Sequence, residues 1–296
     1  MHILVTGGTG FIGGALLPAL ASRGERVTVL TRQRRPMGQG QGQVAYVNAL
    51  DDITDPVDAV INLAGASLAA RRWTAAYKRE IRSSRVDFTQ QLVAWMASRQ
   101  MPPKVLISGS AIGFYGASGD ARFTESSGGA SDFAATLCRD WEQAALAAQS
   151  DSTRVVLLRL GVVLDAGGGA LTEMMRSFRF GVGSWLGSGS QWLSWIHRGD
   201  VVAAILAVLD NHVTGPFNVV APTPVSHRAF CDALARRRRV LFKAGVPGVV
   251  MRTLLGEMAE SLLLTGQWVV PERLHHELGF EFTFPSIDEA LADILS

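Results

Sequence analysis

An open α/β fold around a parallel sheet is the class this sequence predicts, and three observations predict it. Short apolar runs recur through the first half: Ile3-Leu4-Val5, Val27-Thr28-Val29-Leu30, Ala59-Val60-Ile61, Val105-Leu106-Ile107 and Val155-Val156-Leu157-Leu158. Strands covered on both faces read this way. Helical patterns separate the runs, as a sheet with helices on both sides requires. The third observation is a glycine turn. Gly7, Gly10 and Gly13 are spaced G-x-x-G-x-x-G directly after the first run, and an amphipathic stretch over 11–22 follows at once.

In chain order, strands are expected at 2–6, 26–31, 43–47, 58–62, 103–108 and 154–160. Helices are expected at 11–23, 71–98, 131–149 and 199–210. Pro18 falls inside the first helix and should kink it or be relieved locally. The GQGQG stretch at 38–42 reads as a flexible loop. Near residue 161 the character changes. Glycine-rich loops fill 165–191, broken by a helix near 170–180. A strand at 216–220 and a helix near 227–236 follow. The last fifty residues read as helices broken at Pro247, Gly256, Gly266 and Pro271. The expected division is a first domain over 1–164, to which 192–221 return, and a smaller domain over 165–191 and 222–296.

The glycine turn has a mechanism. It lets backbone approach a pyrophosphate, while the following helix presents free N–H groups and its positive dipole end. Strand, turn and helix together make this a dinucleotide-binding signature. The fold is therefore a Rossmann-type doubly wound sheet, with Gly7, Thr9, Gly10, Phe11, Ile12 and Gly13 as cofactor contacts. The second strand ends in Thr31 and Arg32, with Arg34 and Arg35 close by, and no acid stands between Val27 and Gln43. NAD-preferring folds place an acid there for the ribose 2′-hydroxyl. A guanidinium fork suits a phosphate instead. NADP(H) is thus preferred over NAD(H), with Thr31, Arg32 and Arg35 at the adenosine end. Leu63, Ala64 and Gly65, after the fourth strand, face the same crevice. So does SGSAIGFYG at 108–116.

Composition narrows the partners. The chain has 296 residues, a formal net charge of +2 and 48% hydrophobic residues. That charge is no footprint for nucleic acid. The one basic run, 236–239, reads as a solvated helix end. No apolar run approaches the length of a membrane span. Two cysteines, and a start that reads as a strand and not a secretory leader, predict a cytoplasmic protein. No metal-ligand cluster stands out.

TGGTGFIG, NLAG after the fourth strand, SGSAIGFYG after the fifth, RLGVVL at 159–164 and LGSGSQWLSWIH at 186–197 resemble the extended short-chain dehydrogenase/reductase superfamily. LCRDWE at 137–142 and GQWVVPERL at 266–274 are similar to its epimerase-like branch, which carries a C-terminal domain of unknown function. The resemblance covers nearly the whole chain. It implies a nicotinamide cofactor, a small C-terminal substrate domain and dimerisation through the long helices. The superfamily's proton chemistry rests on a Ser/Thr and a Tyr-x-x-x-Lys pair. Ser110 matches the serine. The tyrosine would fall near Phe133, Ala134 or Ala135, and the lysine near Leu137 or Cys138. Tyr46, Tyr77 and Tyr115 are followed four residues later by Leu50, Ile81 and Gly119, so no such pair exists.

Ser110, Tyr115 and Cys138 are therefore the catalytic candidates. Cys138 and Glu142 share one helix face, and Glu142 is assigned a structural hydrogen bond. Arg85 stands where the superfamily often has an asparagine and is a candidate for an anionic substrate, against a surface ion pair. Trp185 and Trp195 are candidates for the substrate cleft. Asp200 reads as a helix N-cap. The expected function is an NADP(H)-binding oxidoreductase or epimerase on an unknown small polar or nucleotide-linked substrate. The alternatives are a catalytically silent dinucleotide sensor, or a scaffold for a protein partner related to cell division.

Overall fold

The computed structural model of the chain describes residues 1–33, 43–117, 119, 121–238 and 240–296. The first apolar run forms β1 (His2–Thr6), followed by α1 (Gly13–Ser22), β2 (Arg26–Leu30), β3 (Val44–Val47) and β4 (Ala59–Asn62). Helices α2 (Ala75–Arg82) and α3 (Phe88–Ala97) lead to β5 (Val105–Ala111), a short β6 (Arg122–Phe123), α4 (Phe133–Leu146), β7 (Arg154–Leu160) and β8 (Val162–Leu164). Next come α5 (Gly169–Met174), β9 (Val182–Leu186), β10 (Trp192–Leu193), β11 (Trp195–His197), α6 (Arg198–Asp210) and β12 (Gly215–Val219). The last stretch holds β13 (Val225–Ser226), α7 (His227–Arg237), β14 (Phe242–Val246), α8 (Gly248–Leu255), α9 (Glu257–Ala259), β15 (Trp268–Val269), α10 (Glu272–Leu278) and α11 (Ile287–Ile294).

Seven of these strands make one all-parallel sheet in the order β12-β7-β5-β4-β1-β2-β3. The winding reverses at β1, which has β2 on one side and β4 on the other. This switch point is where such sheets open a crevice at the carboxyl ends of their strands. Burial on both faces explains the apolar runs. On β1, Ile3 and Val5 pack with Leu16, Leu20, Val201 and Ile205 of α1 and α6. Leu4, between them, packs on the opposite face with Leu92, Trp95 and Met96 of α3. All three β1 side chains are fully buried, each contributing about 1.5–3 kcal/mol.

Three local expectations change. The single helix expected over 71–98 starts at Ala75, capped by Thr74, and a π-turn at Ser83–Asp87 interrupts it. The glycine-rich stretch 165–191 is not only loop and helix. Its β9 pairs in parallel with β14 across more than fifty residues of sequence. Asp200 is not the cap of α6. His197 is, accepting the Gly199 amide at 3.0 Å. Asp200 is fully buried and accepts the amides of Thr283 and Phe284. Pro18 stays within α1 on its exposed side, and Gly14, four residues earlier, is exposed too. Water can then serve the carbonyl that the proline leaves unbonded. The loop at 38–42 lies outside the described residues.

A second core joins the C-terminal elements. Phe230 and Leu234 of α7, Leu291 and Ile294 of α11, and Leu171 of α5 pack around Trp195. No helix among the described residues is long and apolar enough to cross a membrane.

Candidate active site

The glycine turn connects β1 to α1 at the switch point. Gly7 has φ +69°, and a Cβ there would lie 2.5 Å from the Leu63 carbonyl oxygen. The turn is pressed against the loop after β4. A Cβ on Gly13 would lie 2.5 Å from both the Gly7 oxygen and the Gly8 Cα, so the helix start is pressed against the turn. Gly10 donates to the Gly7 carbonyl at 2.9 Å, and Gly14 to the Gly10 carbonyl at 2.8 Å. The amides of Phe11 and Ile12 meet no protein acceptor among the described residues. Thr9 and Gly10 are exposed beside them. Unspent amides at a helix start, with glycine where a ligand must come close, fit a pyrophosphate.

The segment 165–169 borders this cradle. Arg198 binds Asp165 at 2.6 Å and donates to the Phe11 carbonyl at 3.3 Å. The Phe11 ring lies against Gly168 and Gly169. At the end of β2, Thr31 is buried and its carbonyl accepts from Asn48 at 2.7 Å. Arg32 is exposed and has no acidic partner among the described residues. Its guanidinium is therefore not tied to a carboxylate among the described residues. Arg35 and Arg34 lie outside the described residues. Leu63, Ala64 and Gly65 follow β4 at the crevice edge.

Ser110 is one register step from the end of β5 and lies beside Arg159 of β7. Its hydroxyl donates to Oε1 of Glu142 at 2.6 Å. Arg159 grips the same carboxylate with two bonds, Nε to Oε1 at 2.8 Å and Nη2 to Oε2 at 2.9 Å. All three residues are buried. The grip continues outward. Arg159 Nη1 donates to the Tyr115 hydroxyl at 2.9 Å, and Tyr115 donates to Asn218 Oδ1 at 2.6 Å. The Asn218 amide donates to Oε1 of Glu125 at 2.9 Å. Burial works against the charge on Arg159, but the hydrogen bonds and charge of Glu142 and Tyr115 outweigh it and hold its pKa above the ordinary value.

These bonds correct two catalytic candidates. The Tyr115 hydroxyl is buried, with donor and acceptor roles both filled inside the protein. Burial raises its pKa despite the opposing Arg159 and Asn218. Its ring also stacks on Phe123 at 5.0 Å. Tyr115 is a structural link and not a poised acid. Cys138 is buried on α4, and burial, aided by the Glu142 charge, pushes its thiol up to about 12. Such a thiol is a small apolar filler at neutral pH.

The tryptophans separate as well. Trp195 is fully buried in the second core, with its indole N–H on the Thr223 carbonyl at 3.1 Å. It does not line a cleft. Trp185 is half-buried on β9 beneath Arg228, whose guanidinium carbon is 4.6 Å from the ring centroid. Gly245 leaves it room: a Cβ there would come within 2.8 Å of its indole nitrogen.

Arg85 enters the site from the π-turn. Its guanidinium lies against Gly65, where a Cβ would be 2.9 Å from Cζ. Its Cζ is 5.4 Å from the centroid of the Trp141 ring of α4. It makes no ion pair among the described residues, so the surface-pair alternative is not what forms. Arg159 and Glu142 together are what the sequence reading missed as a site feature. The available signal was an arginine inside the apolar run VVLLRL, which only a buried partner can hold.

A family model for the NAD dependent epimerase/dehydratase family matches residues 3–220. The chain belongs to the NAD dependent epimerase/dehydratase family. A second model, for a C-terminal domain of unknown function, matches residues 246–294. Family members with high similarity include the epimerase family protein SH2119 of Staphylococcus haemolyticus, 39% identical over 99% of both chains. The human epimerase family protein SDR39U1 is 36% identical over 100% of both chains. A crystal structure of that human protein (isoform 2) with NADPH superposes with a TM-score of 0.87 at 35% identity, covering 100% of this chain and 99% of the other. A UDP-glucuronic acid 4-epimerase from Bacillus cereus shares the fold at 17% identity, with a TM-score of 0.81 over 100% of this chain and 98% of its own.

Proposed function

We propose that this family member is an NADPH-dependent oxidoreductase of the reductase or epimerase kind, acting on a small polar or nucleotide-linked substrate whose alcohol or carbonyl oxygen meets Ser110. The observation that carries the reading is the hydrogen bond from Ser110 to Glu142 at 2.6 Å, on a strand of the same sheet whose β1 ends in an unspent glycine cradle. NADPH over NADH rests on Arg32, on the missing acid after β2, and on the NADPH held by the human relative.

Bound nicotinamide supplies or accepts the hydride. The protein's part is holding and orientation. The turn at 7–13 holds the pyrophosphate, and Arg32 meets the 2′-phosphate. Arg159 fixes the Glu142 carboxylate by two charge-assisted bonds. Glu142 accepts the Ser110 hydroxyl hydrogen, which leaves the lone pairs of the Ser110 oxygen for a substrate donor. That oxygen then accepts from a substrate hydroxyl. The Glu142 carboxylate is committed to Arg159, so this bond orients the substrate oxygen, and the proton that Tyr-x-x-x-Lys handles elsewhere in the superfamily is exchanged with water as hydride moves.

The test is hydride exchange. Protein incubated with a metabolite extract and stereospecifically deuterated NADPH is expected to lose label from one face only. No loss from either face across fractionated extracts, with NADPH bound, favours the second reading: a dinucleotide sensor without chemistry. Phe133, Ala134 and Ala135 where the superfamily's tyrosine would fall, and Leu137 and Cys138 where its lysine would, are the observation behind that reading.

A further inference from the structure

Arg85 is a half-buried cation that no carboxylate among the described residues pairs with. Arg82, three residues earlier, is paired with Asp87 and Asp140 at 3.1 Å each. Arg85 has no carboxylate within ion-pair distance among the described residues. Among the described residues its guanidinium makes one hydrogen bond, from Nη1 to the Ile81 carbonyl at 3.4 Å. A guanidinium carries five N–H donors and no acceptor. Leaving most of them unmet in a half-buried place is costly. Burial lowers its pKa, and Cys138 and Tyr77 only partly offset this.

Its placement is built. The π-turn at Ser83–Asp87 inserts an extra residue per turn where the chain passes the crevice, a distortion that recurs at functional sites. The guanidinium then lies against Gly65, in the loop following β4, with Nη2 and Nε both within 3.3 Å of where a Cβ would stand. The Trp141 ring of α4 lies near it, with its centroid 5.4 Å from Cζ. The resemblance puts the superfamily's lysine near Leu137 or Cys138 on α4, and Arg85 brings a positive charge to α4 from a different segment. An arginine does not exchange protons near neutrality, so the charge serves binding.

We propose that Arg85 is the anion receptor of the site, taking the carboxylate or phosphate oxygens of the substrate whose reacting oxygen meets Ser110. The inference rests on the proposed oxidoreductase reading, and it narrows the substrate to an oxyanion-bearing alcohol or carbonyl compound.

Calorimetric titration of the NADPH-saturated protein tests it, with acetate and inorganic phosphate as probes and acetamide as the neutral match for acetate. At least one oxyanion is expected to bind and acetamide is not. Acetate alone points to a carboxylate, phosphate alone to a phosphoryl group. In Arg85→Met, binding of the active probe is expected to weaken about tenfold or more, as loss of a charge-assisted bond implies. Arg85→Lys, which keeps the charge, retains part of it. Wild-type protein that binds NADPH but no oxyanion, or binds acetamide as well as acetate, overturns the inference and leaves the cofactor reading standing. So does equal oxyanion binding by wild type and a cooperatively folding Arg85→Met. Wild-type protein that binds no NADPH overturns the oxidoreductase reading itself, and this inference with it.

Discussion

Ser110 and Arg159 are register partners on adjacent parallel strands, and both hydrogen-bond Oε1 of Glu142, at 2.6 and 2.8 Å. One carboxylate from α4 thus sets the direction of the site's serine and neutralises the arginine buried beside it. The side chains of Glu142 and Arg159 are 7% and 5% exposed, so solvent does little to screen the pair.

Removing one partner of this pair strands the other. Glu142→Ala is expected to lower stability by about 3–5 kcal/mol, read as a lower denaturant midpoint. The double variant Glu142→Leu with Arg159→Met is expected to lose less than the single one, because no charge is left unpaired. A single variant as stable as wild type contradicts the buried pairing.

Tyr115→Phe separates structure from chemistry. The change deprives Arg159 of an acceptor and Asn218 of a donor. An expected loss of about 1–3 kcal/mol follows from two buried groups left short of a partner. A pH–rate profile that keeps its shape in the variant agrees with the structural role. Loss of a titrating limb assigns proton transfer to Tyr115 after all.

The buried histidines and cysteines make their contribution to stability greatest between about pH 6.5 and 9. Burial lowers His227 below its ordinary 6.5, and it also lowers His2, despite the Pro56 carbonyl. The folded chain refuses protons that the unfolded chain takes up, so stability falls as pH drops below about 6.5. Cys138 and Cys231 are raised from 9.0 to about 12, burial being the main cause in both. The folded chain keeps protons that the unfolded chain releases, so stability also falls as pH climbs from about 9 toward 12. Denaturation across pH checks this. His227→Gln should flatten the acid limb, and Cys231→Ser the alkaline one.

Arg32→Ala should weaken NADPH binding by about tenfold to a hundredfold, as removal of a charged hydrogen-bond partner implies. NADH binding should stay where it was. Equal effects on both dinucleotides place Arg32 away from the 2′-phosphate.

Much of this was legible in the chain. Runs such as Val155-Val156-Leu157-Leu158 mark strands because both faces of a parallel strand are buried. The glycine spacing marks the cradle because turn and helix start must touch, as the contacts of Gly7 and Gly13 show. Periodicity did not reveal the π-turn at 83–87, since one inserted residue shifts the apolar pattern without erasing it. It also did not reveal the pairing of β9 with β14, where glycines and exposed residues carry no alternation. Trp195 read as a cleft residue because an aromatic stretch looks the same whether it lines a ligand or a core. Glu142 and Arg159 came together only in three dimensions, across a helix and a strand 17 residues apart.

The most direct measurement is a fluorescence titration of the wild-type protein with NADPH and with NADH. Saturable binding of NADPH, with NADH weaker by about tenfold or more, is the expected result. Binding of neither dinucleotide contradicts the account and leaves a Rossmann scaffold whose partner is not a nicotinamide cofactor.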